Sequence, residues 1–454
     1  MTEVVRKSGR LRFVSTIAVL ILLCGYLFDL VAPRSFLSPY YLSFRTAMLS
    51  GSFGSEHILY FLFLLSTGLI AFLLPSYFGL LLTYSFGSTS LITLPFFPLV
   101  SVLIPAKNDE KKIGKTLDCL LESDYPKDKM EIIVITSGST DRTSEVCKDY
   151  ASKSPVRLID EPIQRKGKPA ALNAGLAYAK GELIAIYDAD TVVTPATLRK
   201  LVTPFSQQGV FAVTGPIQVL NEGTNKLTKG TSLENTYYSG AGLLFEIRER
   251  LGQNLFLLGR NYCIRTELLK NLGGFEETSL TEDFSLMFKL REQGKRIAFS
   301  PKAVAKDIVP PHWDSFSKQH KRWAAGWNHE NKKYMSQTKN KRKAGLSMIN
   351  FLLYANLAIF TLIAMILAPI FWLLGDYLIT TSCLLTIILT IAVMGVSVHK
   401  YGNRKYMLLA YFPVFIFISL FMFVCAAVKP KKGTEWDKTL IEQTDPDSGV
   451  SEKS

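Results

Sequence analysis

The stretch ELIAIYDAD, residues 182–190, runs five apolar side chains without a break into two carboxylates one residue apart. A strand with one wet face alternates apolar and polar residues, whereas a strand covered on both faces reads as continuously apolar. The same texture appears in EIIVI at 131–135 and, more briefly, in LVSVLIPAKN at 99–108. Between and around these runs the period changes. DEKKIGKTLDCLLES (109–123) sets Ile113, Leu117, Leu120 and Leu121 on one helical face, and DRTSEVCKDYAS (141–152) and ALNAGLAYA (171–179) also read as helices. VRLIDEP (156–162) adds another strand. Strands separated by short amphipathic helices imply βαβ units and a mostly parallel sheet. Such open sheets bind ligands beyond the carboxyl ends of their strands, which gathers residues 105–107, 136–139 and 188–190 around one crevice.

Outside this region the chain is of another kind. Its 454 residues are 48% hydrophobic with a positive mean hydropathy. Runs 13–32, 58–82, 347–374, 377–398 and 407–428 approach or exceed the ~20 apolar residues a bilayer crossing needs. The first is too long for a signal-peptide core and lacks a small-residue cleavage site, so it reads as a span. The expected organisation is a membrane block at 1–98 with two spans, a catalytic-sized domain at 99–340, a second block of about three helices at 341–430, and a polar tail at 431–454. Arg6, Lys7, Arg10 and Arg12 precede the first span and place the N-terminus inside, so two crossings return the central domain to the cytoplasm. Lys400, Arg404 and Lys405 mark a later inside loop, while Gly375 and Asp376 suit an outside one. The last run breaks the pattern. Lys429, Lys431 and Lys432 follow it, so either the tail is outside or the run, which contains Pro413, dips in and returns.

The net charge of +14 is uneven, with eleven Lys or Arg against three Asp or Glu between residues 301 and 345. A juxtamembrane segment touching anionic lipid accounts for most of this, and nucleic acid is a poor partner for a multi-span protein. The six cysteines are scattered, and no paired spacing suggests a disulfide framework or zinc site, which suits a reducing compartment.

Four motifs carry candidate chemistry. Asp188-Ala-Asp190 closes a strand, where two carboxylates can share a hard divalent cation with phosphate oxygens. The alternative is a simple turn, and a second D-x-D at Asp445-Pro-Asp447 lies in the polar tail; position at the mouth of the sheet separates the two. QRKGKPAALNAG, 164–175, sets Lys166 and Lys168 before a helix start, where ammonium groups and helix amides attract phosphate. In isolation that loop reads as basic surface. Thr281-Glu282-Asp283 opens another helix. Taken alone it favours a Thr281 N-cap with dipole-complementing acids over a general base at Asp283 or Glu282. Its upstream neighbour GRNYCIRTELLKNLGGF, 259–275, offers polar groups that could hold a substrate hydroxyl. Finally, residues 317–334 bring Gln319, Arg322, Trp323, Gly326 and Trp327 to one helical face. An interfacial aromatic belt does not explain the amide and guanidinium. A sugar diphosphate does: Arg neutralises phosphate, Gln bonds hydroxyls and Trp stacks on a pyranose.

The order of these motifs resembles the membrane-integrated family 2 glycosyltransferases, which include cellulose, chitin, hyaluronan and poly-N-acetylglucosamine synthases. Their pattern is D-x-D, an acidic triplet of the T/G/E-E-D type, and Q-x-x-R-W before a span; here Asp188-Ala-Asp190, Thr281-Glu-Asp283 and Gln319-His-Lys-Arg322-Trp323. Trp436-Asp-Lys-Thr439 looks like a W-x-K-T near the end of some members. The resemblance implies a GT-A type α/β domain, Rossmann-like with a mostly parallel sheet, inserted between transmembrane helices. It implies Asp283 as catalytic base, with Lys168, Asp188, Asp190 and Arg322 on the donor. Gln319, Trp323 and Glu282 would line the acceptor and donor site, and Mg2+ or Mn2+ would sit on Asp190 with Asp188. The expected partners are a nucleotide-sugar donor, normally a UDP-sugar, a glycan or lipid acceptor, and membrane lipids; an accessory membrane subunit is compatible with this reading. One departure stands out: members usually carry an acidic residue before the G-S-T-D turn that holds base and ribose, and here Thr136-Ser137 precede Gly138. Inverting transfer to a growing β-linked polysaccharide is the expected reaction. The rival expectations are a single transfer making a glycolipid and a non-catalytic scaffold that binds a nucleotide sugar.

Overall fold

The computed structural model describes residues 96–152, 155–161, 167–238, 240–250, 255–338, 357–373 and 377–427. The expected spans 13–32 and 58–82, the start of the third run, Gln164 to Lys166, the 374–376 loop and the tail motifs at 436–439 and 445–447 lie outside these residues. Residues 357–373 and 377–396, with Arg250, belong to one compact unit; the described residues of 96–249, 255–338 and 397–427 form another.

In the larger unit the sequence alternation becomes a seven-stranded sheet in which the strands at 156–161, 130–137, 100–106, 183–186, 262–265, 210–214 and 296–299 lie side by side in that order. The parallel half consists of β1 (Val100–Ala106), β2 (Met130–Ser137), β3 (Val156–Glu161) and β4 (Leu183–Ile186). Its crossovers are α1 (Ile113–Leu121), α2 (Thr143–Ala151) and α3 (Lys168–Tyr178). Every residue of β4 is buried, as is nearly all of β1, which explains their unbroken apolar spelling. Val102, Ile104, Val134 and Ala185 on the sheet meet Ile113, Leu117 and Leu120 of α1 in one core. Each large aliphatic side chain buried this way contributes about 1.5–3 kcal/mol before the entropy of ordering is subtracted.

Beyond β4 the sheet turns mixed. α4 (Thr197–Val202) leads to β6 (Val210–Thr214), and β8 (Tyr262–Arg265) runs antiparallel to both β4 and β6, with β9 (Arg296–Phe299) parallel to β6 at the edge. A second, three-stranded sheet joins β5 (Val192–Val193), β10 (Ala305–Asp307) and β7 (Ile217–Val219). Around these lie α5 (Lys226–Tyr237), α6 (Leu243–Arg250), α7 (Thr266–Asn271), α8 (Glu282–Glu292) and α9 (Trp313–Gln337).

The smaller unit holds α10 (Leu357–Leu373) and α11 (Tyr377–Tyr401) as far as Val396. Ala364, Ala368, Phe371 and Cys383 pack between them, and Thr361 and Thr390 share a hydrogen bond of 2.9 Å in an otherwise apolar contact. Ile366, Ile370, Trp372, Leu373, Ile388 and Ile391 point outward. Among the described residues one stretch, Cys383–Tyr401, is long and apolar enough to cross a bilayer. The last run expected from sequence is two elements: a 3-10 helix, Tyr406–Tyr411, then α12 (Phe412–Ala427), with Pro413 in its first turn, where its missing N–H costs nothing.

Candidate active site

The crevice expected at 105–107, 136–139 and 188–190 exists because β2, β1 and β4 are neighbours that end together. Asn108 (φ +53°) ties two of the ends, receiving the Thr140 amide on its Oδ1 at 2.8 Å and donating its own amide to Ser139 at 3.3 Å. Thr136, where a carboxylate was expected, donates to Asp160 Oδ1 at 2.8 Å. An exposed carboxylate therefore stands at this place after all, supplied by the next strand.

Lys168 draws the distant segments together. Its Nζ lies 2.6 Å from Asp188 Oδ1, 3.1 Å from Glu282 Oε1 and 2.5 Å from the Gly259 carbonyl. Burial works against its charge, but Asp188 and Glu282 outweigh it and hold the ammonium above the usual lysine range. The reading of this loop as plain basic surface is thereby corrected for Lys168, whose side chain is 14% exposed. Gly259 marks the meeting point: a β-carbon there would lie 3.3 Å from Asp283 Oδ2, 3.4 Å from Glu282 Oε1 and 3.4 Å from Lys168 Nζ. Burial and the adjacent Glu282 charge push Asp283 up to about 7, against the pull of Lys168. Asp190 is raised by burial and by Asp188, opposed by Lys112 at 3.5 Å.

The cap reading of Thr281 is also corrected. Thr281 occupies the cap position of α8 but makes no side-chain cap bond, and its hydroxyl is buried without a partner among the described residues. The reason is α9: Gly326 sits so close that a β-carbon on it would come within 2.4 Å of Thr281 Cγ2. The turn is held by packing, and its acids face Lys168.

On α9 the expected face divides. Trp323 meets His320 at 4.9 Å between ring centroids and the Arg260 guanidinium at 5.9 Å. His320 is stacked on Phe316 at 3.7 Å, and burial lowers it to about 4, so it packs as a neutral ring that orients Trp323. Arg322 reaches the Leu280 carbonyl at 3.4 Å; burial lowers it, while Glu282 and Asp283 counteract. Gln319 is half-buried on the same helix. Trp327 does not join them. It lies among Phe256, Phe284 and Phe288, so its indole is core packing and not part of a sugar platform.

Sequence reasoning missed two residues and left a third unsingled. Arg260 forms an ion pair with Asp307, and the fields of Asp188, Asp190 and Asp283 also reach it. Asp307 receives Thr191 at 2.8 Å and is pushed up to about 7 by burial, against Arg260. Antiparallel pairing of β10 with β5, which directly follows Asp190-Thr191, delivers Asp307 to this place. Asn261, held at φ +55° by bonds from its amide to the Pro216 and Ala303 carbonyls, sets the backbone that aims Arg260. Tyr262, buried on β8, lies in the field of Glu282, Asp283 and Asp188, and its hydroxyl has no partner among the described residues.

A strand-end carboxylate pair, raised buried carboxylates at Asp283 and Asp307, and four cations, Lys112, Lys168, Arg260 and Arg322, cluster at one end of a mixed α/β sheet, the kind of charge cluster found where enzymes act on anionic donors. The chain belongs to glycosyltransferase-like family 2, whose model matches residues 98–326, and it is a glycosyltransferase with a GT-A type fold. A probable glycosyltransferase of Bacillus subtilis, YdaM, is 30% identical over 64% of this chain and 74% of its own length. The poly-beta-1,6-N-acetyl-D-glucosamine synthase of Staphylococcus epidermidis is 29% identical over 50% of this chain and 54% of that protein. The beta-monoglucosyldiacylglycerol synthase of Nostoc is 32% identical over 42% and 41%. The chain thus spans about half the length of these last two relatives or less. Among solved structures, the mannosyltransferase PcManGT of Pyrobaculum calidifontis, in complex with GDP-Man and Mn2+, shares the fold with a TM-score of 0.51, at 20% identity over 80% of this chain and 99% of that one.

Proposed function

We propose that this chain transfers a sugar, with inversion, from a nucleoside-diphosphate donor to a growing β-linked polysaccharide at the cytoplasmic face of a membrane. The observation that carries the reading is the Lys168 bridge, which puts the D-x-D pair and the acidic triplet on opposite sides of one space a few ångströms wide. In this reading Asp283 Oδ2 takes the proton of the acceptor hydroxyl while that oxygen bonds to the anomeric carbon and the carbon–phosphate oxygen bond breaks. A carboxylate raised to about 7 is matched to that task near neutral pH. Lys168 and Arg322 would receive the departing diphosphate, each donor directed at developing charge in a site sheltered from water. Arg260, pinned by Asp307, would neutralise the clustered carboxylates and set Trp323 over the acceptor sugar, with Gln319 bonding a hydroxyl. Asp160 would serve the base and ribose in place of the missing residue at 136.

Asp188 and Asp190 suit a divalent cation: both are hard carboxylates at the open mouth of the sheet, each now neutralised by a lysine that a metal could replace. Mg2+ or Mn2+ there would supply Lewis-acid neutralisation of the diphosphate.

The domain order 1–98, 99–340, 341–430 and 431–454, with multi-pass membrane insertion, belongs to the same proposal; α10 and α11, with outward-facing Ile, Leu and Trp side chains, support it. The glycolipid synthase among the relatives keeps single transfer to a lipid as the second reading. A panel of radiolabelled nucleotide sugars, offered to membranes containing this chain and followed by product sizing, separates the two: long chains for one, a single lipid-mobile spot for the other. Asp283→Asn and Arg322→Ala membranes that incorporate sugar at the wild-type rate would falsify the site assignment.

A further inference from the structure

We propose that Glu330 is a positioning residue for the transfer reaction: through the Ser279 hydroxyl it fixes the turn that carries Asp283, and it acts on that turn rather than on the substrate. The proposal rests on the reading of Asp283 as the base that takes the acceptor proton.

Glu330 lies in the second half of α9 and is 3% exposed. Its Oε1 accepts the Ser279 hydroxyl at 2.6 Å, and Ser279 Oγ in turn accepts the Thr281 amide at 3.2 Å. A hydroxyl donating to a carboxylate at that length makes a charge-assisted bond, about twice as strong as a neutral one. For stability alone this is a poor arrangement, because a well-packed apolar side chain of similar volume avoids the cost of burying a carboxylate. α9 has apolar contacts of that kind close by: Trp327 and Tyr334 pack on Phe284 and Phe288 of α8. Such contacts hold two helices together but are non-directional, and they leave open how the backbone ahead of α8 is turned. Linked hydrogen bonds set it, since each weakens steeply with angle. The link from Glu330 ends on the Thr281 amide, two residues before the carboxylate that must meet the acceptor.

Glu330 is one of four contacts in a row. Arg322, Gly326, Glu330 and Lys333 follow one another at intervals of four, four and three residues, which sets them along one face of α9. Each meets the segment 276–281. Arg322 donates to the Leu280 carbonyl at 3.4 Å, Gly326 packs on Thr281, Glu330 takes Ser279, and Lys333 pairs with Glu276 at 3.3 Å. The four differ in what they can do. Arg322 is engaged with the donor in the reading above, and Gly326 offers a contact without direction. The Lys333–Glu276 pair is 36% and 28% exposed, so solvent screens it and it contributes little. That leaves Glu330 as the buried, directional hold on the turn. Misplacing a reacting group by about 1 Å costs on the order of 10²-fold in rate, so the hold matters to chemistry out of proportion to its effect on folding.

Four variants of the full-length chain, assayed for kcat, donor KM, pH profile and melting temperature, test this: Glu330→Met, Glu330→Gln, Ser279→Ala, and Ser279→Ala combined with Glu330→Met. Glu330→Met should lower kcat by about 10–100-fold and leave donor KM within about twofold of wild type. Glu330→Gln keeps an acceptor oxygen for Ser279 and should return kcat to within about fivefold of wild type. Ser279→Ala should be as slow as Glu330→Met, and the double variant no slower than either, because all three break one link. The double variant removes hydroxyl and carboxylate together, so it should melt near the wild-type temperature while staying slow. The acid limb of the rate should move too. Burial holds Asp283 up to about 7, and a loosened turn that admits water brings the limb in Glu330→Met to lower pH. A Glu330→Met enzyme with wild-type kcat and an unmoved limb overturns the proposal. So does a Glu330→Gln enzyme as slow as Glu330→Met, or losses at 279 and 330 that multiply. If Asp283→Asn keeps the wild-type rate, the reading of Asp283 fails and the proposal falls with it; if that variant is slow, the results at 279 and 330 judge the proposal by themselves.

Discussion

Two helix starts in this chain solve the same problem in opposite ways. α5 opens with a complete capping box: Asn225 Oδ1 accepts the Thr228 amide at 3.0 Å, and Thr228 Oγ1 accepts the Asn225 amide at 3.1 Å. α8 opens on Thr281-Glu282-Asp283, a better-looking cap in sequence, and makes no side-chain cap bond. Orphan amides at a helix start cost about 1 kcal/mol when a cap is lost, so the difference is informative. Where nothing reacts, local preference is obeyed. At the cleft Thr281 packs on Gly326 while Glu282 and Asp283 lie beside Lys168 and Gly259, so tertiary contacts override the local rule.

The contrast can be broken or sharpened by substitution. The largest effect is expected at Asp283. Asp283→Asn should lower sugar incorporation by about 10²–10⁴-fold, measured with saturating donor in native membranes. The same variant should melt at higher temperature at pH 8. A folded-state value near 7 lies above the ordinary ~3.9 of an unfolded aspartate, so the folded protein binds the extra proton between about pH 4 and 7 and loses stability as pH rises through that window. Above it the full cost of the buried charge remains, and the amide removes it. Lys168→Met comes next, with a loss of about 10²–10³-fold in kcat and, unlike Asp283→Asn, a lower melting temperature, since two carboxylates lose their shared cation. A base at about 7 also predicts a wild-type rate that is flat above pH 8 and falls tenfold per unit well below 7. That limb should vanish in the residual activity of Asp283→Asn. The smallest effects lie in the caps: Asn225→Ala should cost about 1 kcal/mol of stability with kcat unchanged, whereas Thr281→Val, which keeps the methyl packed on Gly326 and removes a hydroxyl that makes no cap bond, should cost under about 0.5 kcal/mol. Equal losses at the two positions would erase the distinction between them.

Much of this was legible from the chain. The parallel half of the sheet announced itself because β4 and β2 are spelled as uninterrupted apolar runs, and the crevice followed from where those runs stop. β8 did not, because Tyr262–Arg265 is four residues long, ends in a charge and lies between polar segments that hide its central position. Thr281 misled because capping is judged within four residues, while what displaces the cap, Gly326, lies on another helix. Arg260, within the quoted stretch 259–275, and Asp307 were not singled out for a similar reason: their meeting depends on β10 pairing with β5 across more than a hundred residues, and Asp307 sits in no motif. Gln319, Arg322 and Trp323 fall on one face of α9, as their spacing implies, yet helical spacing alone could not reveal that Trp327, one further turn along, belongs to the aromatic core.

The bare α-carbon at Gly326 has a mechanical corollary. α9 is a single rod of 25 residues that bears on Phe417 and Phe421 near its beginning and touches the 281 turn, with no intervening side chain, at its middle. A contact without a cushion absorbs little displacement, so a slide of about an ångström at the start of the rod would be passed on to the turn that carries Asp283. A methyl group added at position 326 would act as a permanent wedge in that linkage.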